Sequence, residues 1–209
     1  MLWKYIEEKM LQHPCSKLTE DGVSMTYEEA VVFAKAFAGA LDGSCYAVLC
    51  RSELFAALAI LSCIAAGVPF IPMSYRYGRK HSERIFDTIY PEYVITDVLG
   101  ELQVVELENG CYRKPAGEQP AAILCTSGTT GAPKGVMLSE KNLLTNLMDI
   151  RRYFAIGVTD KILIARPLYH CAVLTGEFLI SLCLGVHICF YSAGLDLSLI
   201  HISEPTRPY

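Results

Sequence analysis

Short apolar runs alternate with helical segments along most of this chain, and this alternation limits the fold more than any other feature. The run 45–50 reads CYAVLC and predicts a short buried strand. Ser52 can cap a helix over 53–66, which Gly67 would end. The run 68–71, VPFI, predicts the next strand. Repeated strand–helix–strand units predict an α/β fold with a mostly parallel sheet and crossover helices.

The remaining segments follow the same pattern. Thr26 and Glu29 form a capping box, Ser139 can cap a later helix, and the Asp21-Gly22 pair is typical of a turn. One face of an N-terminal helix collects Leu2, Trp3, Ile6 and Met10. Helices are predicted over 26–41, 80–90, 139–153 and 172–184, and strands over 93–96, 103–107, 121–125, 161–165 and 186–191.

The composition is rich in core-forming residues. Of the 209 residues, 52% are hydrophobic and 19% are charged, and the formal net charge is −4. Globular domains usually carry about 25% charged residues, so the chain fits a piece of a larger body, although a compact domain with a large core would have the same composition. Lys and Arg are scattered and form no basic stripe, so the sequence predicts neither a nucleic-acid surface nor binding to anionic lipid.

Two apolar runs, 54–73 and 173–191, are long enough to raise the question of a membrane span. Ser62 and the break at 67–69 divide the first run, and Glu177, Gly185 and His187 lie in the second. A spanning helix needs about 20 apolar residues without charge. Both runs therefore predict buried elements of an α/β core, and we expect no membrane span.

The nine cysteines are odd in number and include no C-x-x-C pair. Zinc sites and disulfide frameworks have tighter spacing than this. We predict reduced thiols, mostly within the core, in a cytoplasmic protein.

The segment 125–136, CTSGTTGAPKGV, is the strongest candidate for chemistry. Glycines at positions 128, 131 and 135 let the backbone approach a ligand closely, and successive N–H groups in such turns form a nest for anions. Pro133 stiffens the approach to the lysine. The polar side chains that could donate to phosphate oxygens are Thr126, Ser127, Thr129, Thr130 and Lys134.

This loop differs from the P-loop G-x-x-x-x-G-K-[ST], because Lys134 follows a proline and precedes Gly135. A polar turn without a ligand is the alternative, since Ser, Thr and Gly are common turn residues. The combination of a preceding strand, three glycines, four hydroxyls, P-K-G and a capped helix favours phosphate binding.

The segment T-S-G-T-T-G-x-P-K-G resembles the phosphate-loop signature of the adenylate-forming (AMP-binding) superfamily, and the chain is most similar to acyl-CoA synthetases. Residues 26–29 resemble the T-Y-x-E-L segment of that family, with Ala30 in place of Leu. Residues 65–84 resemble its A-G-x-x-x-x-P-x-x-P…R segment, although Tyr77 or Gly78 replaces the expected proline. Residues 167–170, PLYH, resemble its P-L-x-H segment.

The resemblance implies ATP-dependent activation of a carboxylic acid as acyl-AMP, followed by transfer to a thiol. ATP, Mg²⁺, and CoA or carrier-protein phosphopantetheine would be the cofactors. Thr126, Ser127, Gly128, Thr129, Thr130, Gly131 and Lys134 would hold the phosphates.

By the same resemblance, His170 would lie at the edge of the acyl pocket, and a packing or capping histidine is the alternative. Cys171 is expected to pack, and Glu177 to be solvated or paired. The adenine, ribose and C-terminal lysine motifs of the family are absent, so we expect no catalytic residue in this segment and no adenylation by it alone.

Three functions remain open. An acyl-CoA-type ligase is favoured by residues 138–143, which fit L-S-x-x-N-L, and by PLYH. An adenylation domain of a peptide synthetase or an acyl-carrier-protein ligase is second, and a non-catalytic nucleotide-binding protein is third. We expect residues 1–196 to form part of an N-terminal AMP-binding domain. Residues 197–209 are expected to be a non-native or disordered tail, since SLIHISEPTRPY resembles translated sequencing adapter.

Overall fold

The computed structural model describes residues 1–76, 78–126 and 133–191. Its helices are α1 Leu2–Leu11, α2 Tyr27–Ala38, α3 Glu53–Ala66, α4 Arg79–Ile89, α5 Glu140–Arg151, α6 Cys171–Val173 and α7 Ile180–Leu184, and a π-helical segment, Leu174–Leu179, joins the last two. Its strands are β1 Lys17–Glu20, β2 Val23–Thr26, β3 Tyr46–Val48, β4 Phe70–Pro72, β5 Tyr93–Val98, β6 Glu101–Glu106, β7 Ala122–Thr126, β8 Lys134–Leu138, β9 Lys161–Ile164 and β10 His187–Phe190.

The described strands form two mostly parallel sheets, which confirms the predicted α/β class. The larger sheet has the order β6-β5-β3-β4-β7-β8 and is parallel from β5 to β7, with antiparallel edge strands β6 and β8. The smaller sheet has the order β2-β1-β10-β9, and only β2 is antiparallel. Apolar alternation along the chain does not reveal which strands share a sheet, so the division into two sheets was not predicted.

Helix α3 lies between the two sheets. All of its residues from Ala56 to Ile64 are buried, and it contacts β1 of the smaller sheet and β3, β4 and β5 of the larger one. A helix that is apolar on all sides needs cover on all sides. Ser52 accepts the capping bond from the Phe55 amide at 3.1 Å, and Gly67 ends the helix in the left-handed conformation at φ 69°. These bounds confirm the prediction from sequence.

The larger sheet has a second covered face, against which α4 packs. Neighbouring residues of one strand point to opposite sides, as the pleat requires: Tyr46 and Val48 join the core around α3, whereas Ala47 joins the cluster around Ile85 of α4. Along the line through α3, the layers therefore follow in the order smaller sheet, α3, larger sheet and α4.

Sequence reasoning missed three strands, β1, β2 and β8. Strands β1 and β2 form a hairpin whose turn residues, Asp21 at φ 49° and Gly22 at φ 82°, both have left-handed backbone, as a type I′ turn demands. The β8 side chains are mostly exposed, so this strand has no apolar alternation to reveal it. The helix expected over 172–184 is confirmed in place, but its middle is π-helical.

All nine cysteines are free. Six are buried or half-buried, as predicted, whereas Cys15, Cys111 and Cys171 are exposed. The expectation that Cys171 packs is therefore wrong, since it begins α6 on its solvent side. Among the described residues, no helix has the length and apolar character needed to span a membrane.

Candidate functional site

The carboxyl ends of parallel strands from both sheets meet around one small cavity. This cavity has a volume of about 190 Å³. It is lined by residues that follow β3, β4, β9 and β10: Cys50, Arg51, Glu53, Ser74, Tyr75, Arg76, Ala165, Pro167 and Tyr191. Open α/β sheets bind ligands at the carboxyl ends of their strands, so this edge of the molecule is where a site is expected.

The two ends of the candidate phosphate loop lie on paired strands at the same edge of the larger sheet. Thr126, the last residue of β7, is the antiparallel partner of Lys134, the first residue of β8. The Thr126 hydroxyl donates to the Lys134 carbonyl at 3.4 Å. Residues 127–132 lie outside the described part, and with them Ser127, Gly128, Thr129, Thr130 and Gly131.

Both described members of the predicted phosphate site are exposed, Thr126 and Lys134. Within the described ranges, no carboxylate forms an ion pair with the Lys134 ammonium, so this charge can meet an incoming anion. Lys134 also borders a groove of about 750 Å³, whose described lining residues include one other cation, Arg113.

Gly135 and Ser139 fix the chain just after the loop. A Cβ on Gly135 would lie 2.9 Å from Ile123 Cγ2 on the paired strand, so β8 packs closely because this residue has no side chain. Ser139 caps α5 through a reciprocal pair with Asn142: the Ser139 hydroxyl accepts from the Asn142 amide at 3.2 Å, and the Asn142 side chain accepts from the Ser139 amide at 3.0 Å. Strand, loop, strand and capped helix thus follow each other as one unit.

His170 is exposed and stands at the start of α6. Its backbone carbonyl accepts from the amides of Val173 and Leu174, and its ring lies 4.0 Å from the Tyr169 ring. Partial desolvation and the nearby Arg166 lower the pKa of His170, while Glu177 opposes that change. The imidazole is therefore biased towards its neutral form, which can accept or donate a hydrogen bond.

Glu177 lies in the π-helical segment after His170 and contacts Arg166, which precedes His170 in the chain. Arg166 donates to the Glu177 carboxylate at 2.5 Å, so Glu177 is paired, in line with one of the two roles expected for it. Single π-helical turns inside α-helices are frequent at functional sites. The Arg166–Glu177 ion pair links residues on either side of His170 in the chain.

Two glutamates that sequence reasoning missed join the sheets at this edge. Glu20, buried at the end of β1, accepts from the Ser52 hydroxyl and from the amides of Glu53 at 3.1 Å and Leu54 at 3.0 Å. It therefore binds the N-terminus of α3, where a negative charge is favourable. No sequence signal could identify this pairing, because its partners lie more than 30 residues away.

The Glu53 carboxylate accepts from the Leu168 amide at 3.0 Å, across 115 residues of sequence. Burial raises the pKa of Glu53 to about 7, and the neighbouring Glu20 carboxylate adds to the effect. The Leu168 bond and Arg76 act in the opposite direction. In the sequence Glu53 is only an acidic residue in the first turn of a helix, so its link to 167–170 could not be seen there.

The two-sheet α/β architecture, with a Gly- and Thr-rich segment between two paired strands at the carboxyl edge, places the chain among α/β proteins that bind ligands at their strand ends. Comparison with known families makes the assignment specific, and the predicted resemblance is confirmed: the chain belongs to the AMP-binding enzyme family, which it matches over residues 6–206.

Three similar proteins illustrate the relationship. A sulfoacetate–CoA ligase of Cupriavidus necator is 45% identical over 56 residues, which are 27% of this chain and 11% of that enzyme. A feruloyl-CoA synthase of Amycolatopsis is 28% identical over 167 residues, 70% of this chain and 34% of the enzyme. The structure of ATP-bound MatB from Rhodopseudomonas palustris superposes with a TM-score of 0.76 at 21% identity, covering 96% of this chain and 47% of MatB.

The likeness to MatB shows the fold alone, given its low identity. The chain spans about half the length of that structure and about a third or less of the two curated relatives.

Proposed function

We propose that this chain supplies the ATP-phosphate-binding part of an AMP-forming acid–thiol ligase of the acyl-CoA synthetase kind. The observation that carries the proposal is the pairing of Thr126 with Lys134 at the carboxyl edge of the larger sheet, in a chain that matches the AMP-binding family along most of its length. The names of two relatives, a sulfoacetate–CoA ligase and a feruloyl-CoA synthase, both refer to carboxylic acids joined to CoA.

In the proposed reaction, a carboxylate attacks the α-phosphate of ATP, which gives acyl-AMP and releases pyrophosphate. A thiol of CoA or of carrier-protein phosphopantetheine then takes the acyl group. The loop 126–134 supplies no nucleophile. Its hydroxyls, its backbone N–H groups and Lys134 would bind the β- and γ-phosphates and stabilise the charge that develops on the leaving pyrophosphate. Mg²⁺ would accompany ATP and offset the same charge.

His170 is proposed to border the acid. It stands at the carboxyl edge after β9, its ring is exposed, and its pKa is lowered. A neutral imidazole can orient a carboxylate without trapping it in a fixed ion pair. Cys171 is exposed next to it, and the described structure places no activating base in contact with that thiol.

The phosphate role of Lys134 is tested by calorimetric titration of the chain with Mg·ATP. Hydrogen bonds to charged groups contribute about 1.5–3 kcal/mol, so Lys134→Ala is expected to weaken binding by about tenfold or more. Lys161→Ala is the matched control, because Lys161 is also an exposed first residue of a strand, in the other sheet. Equal affinity of the two variants, or no binding by the unaltered chain, would refute the proposal.

Identifying the class of acid and the thiol acceptor requires assays of the complete enzyme. Panels of fatty, aryl and amino acids, assayed for acid-dependent pyrophosphate release, separate an acyl-CoA ligase from a peptide-synthetase adenylation domain. The 209-residue chain alone is expected to release no pyrophosphate in this assay, because the family's adenine, ribose and lysine motifs are missing from it.

We also propose that the native domain sequence in this chain ends near Asp196, within the undescribed residues 192–209. The family match continues to residue 206, so direct resequencing of codons 190–215 is the appropriate test. Recovery of SLIHISEPTRPY from the source gene would remove this proposal.

A further inference from the structure

The segment 166–170 is held from two sides before it reaches His170. On one side Arg166 binds Glu177 at 2.5 Å, and on the other the Leu168 amide donates to Glu53 at 3.0 Å. A turn bond from the His170 amide to the Pro167 carbonyl, at 3.2 Å, closes the segment between them. The backbone of this segment is therefore fixed relative to both α3 and the π-helical turn.

Glu53 is itself anchored by a second carboxylate. Glu20 of β1 accepts from the amides of Glu53 and Leu54, which places the first turn of α3 at the end of the smaller sheet. Strand β1, helix α3 and the His170 segment are consequently joined through two neighbouring acidic side chains. Burial and the Glu20 carboxylate both raise the pKa of Glu53, so ionising Glu53 lowers the stability of the folded chain.

We propose that Glu53 is a positioning residue, whose carboxylate ties the Leu168 backbone to the first turn of α3 and so fixes where His170 stands at the strand ends. The inference rests on the proposed function, since only there does His170 border the acid. Glu53 need not touch the substrate, because it acts through the backbone of 167–170. Sites that break local rules of stability are often those where geometry serves function.

Ionisation of Glu53 is expected to affect this contact. Burial brings the pKa of Glu53 to about 7, and a charged acceptor binds an amide more strongly than a neutral carboxyl group does. The charged and titratable groups that face Glu53 or line its cavity are Glu20, Cys50, Arg51, Tyr75, Arg76 and Tyr191.

Amide hydrogen exchange on the 209-residue chain tests the inference without nucleotide or turnover. At pH 8, Glu53→Leu is expected to reduce the protection of the peptide 165–171 by about tenfold, the effect of losing one charge-assisted bond. Glu53→Gln should restore much of that protection, because its amide oxygen can still accept. Glu28→Leu is the matched control, since Glu28 lies exposed in the first turn of α2.

A purely structural role would lower protection throughout the chain, so the peptide 27–38 of α2 is the internal reference. Protection of 165–171, corrected for intrinsic exchange, should also rise in the unaltered chain between pH 6 and pH 8 and stay flat in Glu53→Gln. This second measurement applies even if Glu53→Leu does not fold.

Unchanged local protection in Glu53→Leu, or identical pH profiles for the unaltered chain and the Glu53→Gln variant, would overturn the inference. Failure of Mg·ATP to bind would instead count against the proposed function and leave the exchange result intact.

Discussion

Replacing Glu53 with Gln should stabilise the chain, and the gain should depend on pH. The pKa of Glu53 rises from an ordinary value of 4.5 to about 7 in the folded state, chiefly through burial. Below pH 4.5 the carboxyl group is neutral in both folded and unfolded chains, and its contribution to stability is fully present. Between 4.5 and 7 the unfolded chain has released a proton that the folded chain still holds, so stability falls as pH rises. Above 7 both states are ionised and the loss is complete.

The magnitude follows from the same values. One pKa unit is equivalent to about 1.4 kcal/mol, so the rise from 4.5 to about 7 means that the ionised Glu53 costs the folded state at most about 3–4 kcal/mol by pH 8 or 9. Gln has nearly the same shape, accepts from the Leu168 amide and does not ionise. The difference in unfolding free energy between Glu53→Gln and the unaltered chain should therefore be small at pH 4.5 and approach that limit at pH 8.5.

Urea denaturation at half-unit steps between pH 4.5 and pH 9 measures this difference. Titrating groups that do not interact with Glu53 contribute equally to both chains and cancel. Glu20, Cys50 and Arg76 are electrostatically coupled to Glu53 and belong to the measured difference. Glu28→Gln, at an exposed acid in the first turn of α2, is the matched control and should give a smaller difference at pH 8.5 than Glu53→Gln. A Glu53→Gln chain that is less stable at pH 8.5, or a difference that is constant with pH, would refute the reasoning about burial of Glu53.

Three further substitutions test the fold by urea denaturation. Gly185→Ala should cost more than Gly67→Ala: both positions have left-handed backbone, but only at 185 would a Cβ overlap a neighbour, the His13 ring. Gly67→Ala, the control, should lower the unfolding free energy by about 1 kcal/mol, and Gly185→Ala should lower it by at least twice as much. Equal losses would contradict the clash. Thr26→Ala should cost about 1 kcal/mol through loss of the capping box; no change would show that α2 needs no cap. Tyr27→Phe should cost about 1–2 kcal/mol, since the buried Tyr27 hydroxyl donates to the Val186 carbonyl at 2.5 Å, and a neutral result would discount that bond.

Sequence reasoning recovered the elements whose signals are local. The bounds of α3 follow from Ser52, a continuous apolar run and Gly67, and each of these acts within a few residues of its own position. The capping box of α2 is equally local. Strand β8 was missed because exposed side chains on both faces leave no periodic pattern. The hairpin of β1 and β2 was missed because each strand has only four residues, which is too short for a clear alternation.

The candidate site was predicted only in part, and for the same physical reason. The loop motif is contiguous, so Thr126 and Lys134 could be chosen from the sequence, and the structure places them as partners across two strands. The contacts that fix His170 involve Arg166, Glu177 and Glu53. Of these, only Arg166 and Glu177 are close in the chain, and Glu177 lies in a π-helical segment that no residue pattern predicted.

The energetics of Glu53 and its proposed role in positioning concern the same atoms. Above pH 7 the ionised carboxylate makes its strongest bond to the Leu168 amide, and in the same range it is most costly to the folded state. Gln at this position should therefore give a more stable chain that holds the His170 segment less firmly at alkaline pH. If measurements showed Glu53→Gln to be both more stable and at least as well protected at 165–171, the negative charge of Glu53 would not be needed to hold the His170 segment.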